Sequence, residues 1–321
     1  MQAINATDTS VSLQWQNNNA LATTILIERS TNATSGFTVV DSVTEIVTTK
    51  NILGIYNEYT TYYFRLQAKS SLNVSPYSNV DSIQYIPSPE MVLASGGTFK
   101  MGSKSGNPDE QPTHDVTLSN FYIGKYEITQ AQWRTVVQWK QGNKTSPLNP
   151  DPSYLKGDKL PVERVSWDDI QWWISYLNEE EGTNKFRLPT EAEWEFAARG
   201  GNNTKGYTFS GSDTVGNVAW YVGNCANATG GTSHTVGTKA ANELGIYDMS
   251  GNVMEWCSDW YGLYDSTAQT NPIGLTSGAS EKVLRGGNYD SDDSSCHVTS
   301  RGRNYTGAES EYVGFRVART P

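Results

Sequence analysis

Three cysteines, Cys225, Cys257 and Cys296, and three histidines, His114, His234 and His297, are the residues best suited to soft-metal or nucleophilic chemistry in this 321-residue chain. The thiolate is the ligand and the nucleophile, so useful sulfur needs an ionised pair or a neighbouring base. An odd cysteine count rules out a fully paired disulfide framework. One bridge with a free thiol and three buried thiols both fit it. The histidines are widely separated, and neither a Ser/His/Asp arrangement nor a phosphate-cradling glycine loop stands out. Carboxylates abound, so paired-carboxylate hydrolysis stays open without any positive sign of it. The remaining chemistry is adhesive. Residues 288–305 combine Tyr, Ser, Asn, Gly and the acidic trio Asp290, Asp292 and Asp293. Tyrosine supplies rigid amphipathic contact area and Ser, Asn and Gly supply adaptable hydrogen bonds, the chemistry of antibody loops. The acidic trio favours a cationic ligand patch or a bound cation. The plain alternative is a solvated polar loop with no partner.

Loop-rich and strand-rich structure must position these residues. Charged residues make up only 18 % of the chain, and ten Trp and eighteen Tyr are available to fill its cores. The net charge of −10 and the absence of any Lys/Arg run exclude a counterion-displacing nucleic-acid surface. No apolar stretch reaches the roughly 18 residues of a bilayer span. The N-terminus lacks the basic and apolar regions of a signal peptide and begins almost inside a strand pattern, so an export signal is expected to have preceded it.

Residues 1–87 read as short strands at sandwich spacing: Val11–Trp15, Ile25–Arg29, Phe37–Val40 and Tyr62–Ala68, then the turn-rich 70–78. This resembles a fibronectin type III domain, with Trp15 where that family has its core tryptophan and Tyr62 at the tyrosine corner. A spacer role is expected. Pro87-Ser88-Pro89 is a stiff linker, and a second domain fills 88–321. Its helices are well marked. Thr129 caps one through about Gln138, Ser166 with Asp169 opens another, and Thr190 with Glu193 is a capping box stopped by Gly200.

Several ordered blocks of this second domain resemble the formylglycine-generating enzyme, or sulfatase-modifying factor, family. They are Gly96–Gly102, Phe121–Thr129, Leu160–Trp167, Phe186–Glu195, Leu244–Trp256, Leu284–Gly287 and Val313–Arg316. The resemblance implies an α+β C-type-lectin-like fold, so the whole chain is expected to be an all-β, immunoglobulin-like sandwich followed by that domain. Fold alone does not give function. The family's oxidases hold copper with two cysteines, four and nine residues after the Gly-Gly. Here those positions are Ser291 and Cys296, and a hydroxyl is a poor soft-metal ligand, so no copper and no catalysis are expected. The iron-dependent sulfoxide synthases of the family need a His-rich site in an added domain that this chain lacks. By the same resemblance Asp248, Gly251, Val253 and Glu255 match a calcium site, two through side chains and two through carbonyls. The alternative is that Asp248 and Glu255 merely hydrogen-bond loop backbone. The family's other calcium site has no match in 221–237.

Residues 288–305 contain no Lys, Glu, Gln, Met or Trp, none of which has a codon ending in a pyrimidine. Adenine-directed mutagenesis of Asn codons leaves that trace. The segment resembles the variable region of diversity-generating retroelement target proteins, bordered here by Arg285-Gly286-Gly287 and Gly314-Phe315-Arg316. The resemblance implies a cell-surface binding protein, extracytoplasmic or outer-membrane-associated, with a possible lipid anchor on its precursor. Its partner is a protein or other surface ligand of variable identity. Tyr289, Asp290, Ser291, Asp292, Ser294, Ser295, His297, Ser300, Gly302, Asn304 and Tyr305 become candidate ligand-facing positions, with Asp293 and Tyr312 beside them. Cys296, Val298 and Arg301 are expected to hold the scaffold. A copper oxidase acting on sulfatase cysteine and a non-variable adhesin of the same fold are the alternatives.

Overall fold

Alternating apolar and polar residues in the first ninety positions form strands that bury one face. The computed structural model describes residues 1–321 except 8, 17–21, 45, 55, 58–59, 144–145, 226–230 and 276–278. The chain divides into two units, Met1–Ser88 and Pro89–Pro321.

The first unit contains β1 (Gln2–Ala6), β2 (Ser10–Gln14), β3 (Thr24–Ser30), β4 (Thr38–Thr44), β5 (Thr49–Leu53), β6 (Thr61–Lys69), β7 (Val74–Tyr77) and β8 (Asp81–Gln84). One antiparallel sheet runs β1-β2-β5 and the other β4-β3-β6-β7, with β8 also on β6. The period-two pattern puts Val11, Leu13, Ile25, Ile27, Ile52, Phe64 and Leu66 into one shared core. Trp15 joins that core, and the Tyr62 hydroxyl accepts from the Asn57 N–H at 2.8 Å.

The second unit interleaves short strands with three long helices. Its strands are β9 (Met91–Ala94), β10 (Gly97–Met101), β11 (His114–Leu118), β12 (Phe121–Gly124), β13 (Phe186–Arg187), β14 (Met254–Trp260), β15 (Gln269–Thr270), β16 (Glu281–Arg285), β17 (Arg301–Tyr305), β18 (Val313–Gly314) and β19 (Ala318–Arg319). Its long helices are α1 (Gln130–Asn143), α2 (Trp167–Glu180) and α3 (Glu191–Ala198). The strands pair in the orders β10-β11-β15, β13-β19-β12-β9 and β17-β16-β14-β18. Ser166/Asp169 and Thr190/Glu193 form the expected capping boxes. Gly200 follows α3 at φ 87°, a left-handed turn that favours glycine. The first helix runs five residues past Gln138, because Lys140 near its end pairs with Glu179 of α2.

Trp133 of α1 and Trp173 of α2 stack 5.9 Å apart, and Phe315 meets Trp173 edge-on at 5.3 Å. Truncating either indole would cost roughly 3–5 kcal/mol. This core seats the C-terminal strands, and β17 lies at the open edge of its sheet.

Candidate functional site

The segment between Gly287 and β17 is built on a buried ionic frame. Arg285 is fully buried, donates to the carbonyls of Thr299 (2.8 Å) and Ser300, and pairs with buried Glu195. Arg301 makes a bidentate pair with Glu191 (2.6 and 2.7 Å) and donates to the carbonyls of Asp109 and Gly262. Buried guanidinium donors of this kind hold a polar loop that has no regular ladder of its own. Burial raises the Glu195 carboxyl, but Arg285 and Arg199 outweigh it and leave its pKa lowered.

On this frame the segment separates display from support. Asp290, Asp292, Asp293, Ser294 and Tyr305 are exposed, while Ser291, Ser295, His297, Ser300, Gly302, Asn304 and Tyr312 are half-buried. Cys296 and Val298 are buried beneath them. Asp292 Oδ1 accepts from the Ser295 N–H and Ser294 Oγ, which orients the short turn 294–296, and hydrogen bonds from Ser295, then Ser294, lower the Asp292 pKa. His297 packs its ring edge-on to Phe209 at 5.1 Å.

Two placements differ from the sequence expectation. Tyr289 is only 7 % exposed: its ring packs 5.3 Å from Tyr312 and closes over the backbone at Gly231. It is support rather than free contact area. In β17 the pleat also divides the expected row. Tyr305 lies on the face of Arg301 and Arg303, whereas Gly302 and Asn304 lie on the other, where Met254 abuts Gly302.

The cysteine chemistry is closed off. Ser291 Oγ accepts from the Asn288 N–H at 3.0 Å. Burial pushes the Cys296 thiol up to about 12, with Asp292 and Asp293 adding to it. Cys225 is pushed up to about 11 by burial and lies 3.7 Å from His234 Nδ1. Cys257 is raised well above its ordinary value by burial. None of the three is in a disulfide. A hydroxyl and one sealed thiol do not fit copper.

The Asp248–Glu255 turn is a second polar centre, which the sequence assigned to calcium. Asp248 sits at φ 58° and accepts from the Gly237 N–H through Oδ2 at 2.6 Å, while its buried Oδ1 has no hydrogen-bond partner among the described residues. Glu127 accepts from Asn252 Nδ2 (2.6 Å) and the Val253 N–H (3.1 Å). Glu255 departs from the expected ligand role. Both its oxygens are taken by Arg316, at 2.6 Å each, and Oε2 also accepts from Trp194 Nε1. Three buried carboxylates thus face one guanidinium. Burial, then Asp248 and Glu255, push Glu127 well above the carboxylate range, and burial raises Asp248 to about 6. The orphaned Oδ1 suits a hard cation at Asp248, with Gly251 and Val253 in the same turn; Glu255, taken up by Arg316, does not fit as its ligand. Among the described residues no three His, Cys, Asp or Glu side chains are grouped to hold a metal ion.

Glu127 and Arg316 were not singled out from sequence, although both lie inside the quoted blocks. A charged residue in an otherwise apolar run, as in Val313–Arg316, was the available signal.

Residues 78–321 match the sulfatase-modifying factor enzyme 1-like domain. The chain is 34 % identical over 281 residues to the chaperone protein LppX of Paenibacillus barcinonensis, covering 73 % of this chain and 90 % of that one. It is 36 % identical to the formylglycine-generating enzyme of Streptomyces coelicolor, over 70 % of this chain and 87 % of that one. Among solved structures it resembles Treponema denticola variable protein 1, with TM-score 0.60, 30 % identity and 72 % and 95 % of the two chains covered.

Proposed function

The chain belongs to the sulfatase-modifying factor enzyme 1-like family with a C-type-lectin-like fold, and from that premise we propose that it is a non-enzymatic binding protein whose segment 288–312 is a diversified ligand-contact surface. The observation that carries this reading is the separation within one short segment. Exposed Asp290, Asp292, Asp293, Ser294 and Tyr305 lie on a frame of buried Arg285, Cys296 and Val298 and the Glu191-bound Arg301. Such a surface tolerates exchange without unfolding, because exposed substitutions away from special features change stability by no more than about 0.5 kcal/mol. Likeness to a solved variable protein supports the same reading.

The ligand is a protein or other surface molecule, and the acidic residues select a cationic patch on it. The protein acts outside the cytoplasm. A lipid anchor on the precursor and a fibronectin type III-like spacer role for the first unit complete the proposal. Calcium is proposed at Asp248, with carbonyls of Gly251 and Val253, as a stiffener of the turn that carries Asn252. Asn252 is the residue whose side chain binds the 234 backbone and Glu127. Ser291 in place of a copper-binding cysteine argues against the oxidase alternative.

The test is to sequence the DNA flanking the gene. A near-copy of the 3′ coding segment that differs only at its adenines, beside a reverse-transcriptase gene, is the expected result. Its absence reduces the reading to a fixed adhesin.

A further inference from the structure

Beside Arg301 lies an open cavity of about 310 Å³. Its size is at the lower end for small-molecule sites. Asp259 lines it, 4 % exposed. One carboxylate oxygen, Oδ2, accepts from the Glu191 N–H at 3.0 Å and from Ser258 Oγ at 2.9 Å. Among the described residues none donates to Oδ1, which packs beside Gly274 in the cavity wall. Glu191 also lines the space, but Arg301 already neutralises it. Lys282 feels the Asp259 charge, but its ammonium donates to the Ser258 carbonyl at 2.7 Å and lies over the Trp167 and Trp260 rings, so Oδ1 remains without a donor among the described residues. Burial and the Glu191 charge raise the Asp259 carboxyl to about 7. The rim is of opposite character. Leu263 (81 % exposed), Ile273 (65 %) and Leu275 (44 %) stand in solvent around the opening, and Tyr264 forms an aromatic wall. Exposed leucine and isoleucine side chains clustered at the mouth of a polar-floored cavity are what an amphipathic guest uses.

We propose that this cavity binds a short primary alkylammonium, with its charged nitrogen on Asp259 and its chain along Leu263, Ile273 and Leu275. Ammonium is favoured over guanidinium because a single acceptor oxygen is available, and a compact point charge needs no bidentate partner. An anion meets Asp259 and the already paired Glu191 and is repelled. A neutral alcohol gains the apolar rim but not the ion pair.

The test is isothermal titration of the full chain with hexylammonium, 1-hexanol and hexanoate, above the range in which Asp259 titrates. Hexylammonium should bind at least about tenfold more tightly than hexanol, and hexanoate should not bind. Asp259→Asn should weaken hexylammonium by about tenfold or more. Should Asp259→Asn fail to fold, Ile273→Lys, on the exposed rim, sets a competing cation at the opening and should weaken binding comparably. No binding of hexylammonium, equal binding of hexanol, or unchanged binding in a folded variant overturns the proposal.

Discussion

Replacing Arg316 with methionine should be among the most damaging single changes to the second unit. The guanidinium is fully buried, donates twice to Glu255 at 2.6 Å, and reaches the carbonyls of Gly124 and Tyr247 at 2.9 Å each. Removing one partner of a buried ion pair costs roughly 3–5 kcal/mol, because the other charge is left in low dielectric. Arg316 also lowers the carboxyls of Asp248 and Glu127, so a loss at the upper end, about 5 kcal/mol, is expected. That rivals the whole stability of many domains, about 5–15 kcal/mol. The assay is urea denaturation followed by tryptophan fluorescence, which reports this unit because nine of the ten tryptophans lie within it. Glu255→Met combined with Arg316→Met should recover part of the loss, since a whole buried pair exchanges for apolar residues at little cost. Recovery should stay incomplete, because the Gly124 and Tyr247 carbonyls lose the donor that Arg316 supplies. A loss below about 1 kcal/mol in the single variant, or a double variant as unstable as the sum of both singles, refutes the ionic-frame argument.

Stability should also fall as pH rises through neutrality. Asp248, at about 6, and Glu163 and Asp259, at about 7, are raised by burial above their unfolded values. Their protonation favours the folded state fully below about pH 4, and the benefit is lost as pH rises through 6 and 7, so Tm should be higher near pH 5 than near pH 8. An equal or lower Tm near pH 5 counts against these burials. Saturating calcium near pH 8 should raise Tm, by about 2.7 kcal/mol of stabilisation at a hundredfold excess over Kd. Asp248→Ala should abolish the response, and an unchanged Tm in the parent protein removes calcium from the account. Arg301→Ala should cost about 3–5 kcal/mol in denaturant titrations, whereas Asp290→Ala and Tyr305→Ala should stay within about 0.5 kcal/mol. Comparable losses in all three would erase the distinction between frame and display.

The helices were legible because their signals are local. Ser166/Asp169 and Thr190/Glu193 satisfy orphan N–H groups within four residues, and both capping boxes form. The strand pattern of the first unit was equally local, as the burial of Leu13 and Phe64 shows. The site was legible only where burial follows residue type: Asp290 and Asp292 lie in solvent, and Cys296 and Val298 lie beneath. Tyr289 escaped because an amphipathic ring takes its place from its neighbour, and Tyr312 is 23 positions away. The Glu255–Arg316 pairing spans 61 positions, so no window of sequence separates a metal ligand from an ion-paired carboxylate. Glu163 is similar. Its buried Oε2 has no hydrogen-bond partner among the described residues, a condition set by the tertiary surroundings and invisible in Leu160–Trp167.

The most direct test of a diversified contact surface is deep sequencing of this gene's 3′ end across a population of cells. Substitutions should concentrate between 288 and 312 at exposed or half-buried positions such as Asp290, Ser291, Asp292, Ser294, His297, Asn304 and Tyr305, with Arg285, Cys296, Val298 and Arg301 constant. Substitutions spread evenly along the gene, or falling as often on the buried frame as on the exposed positions, would contradict it.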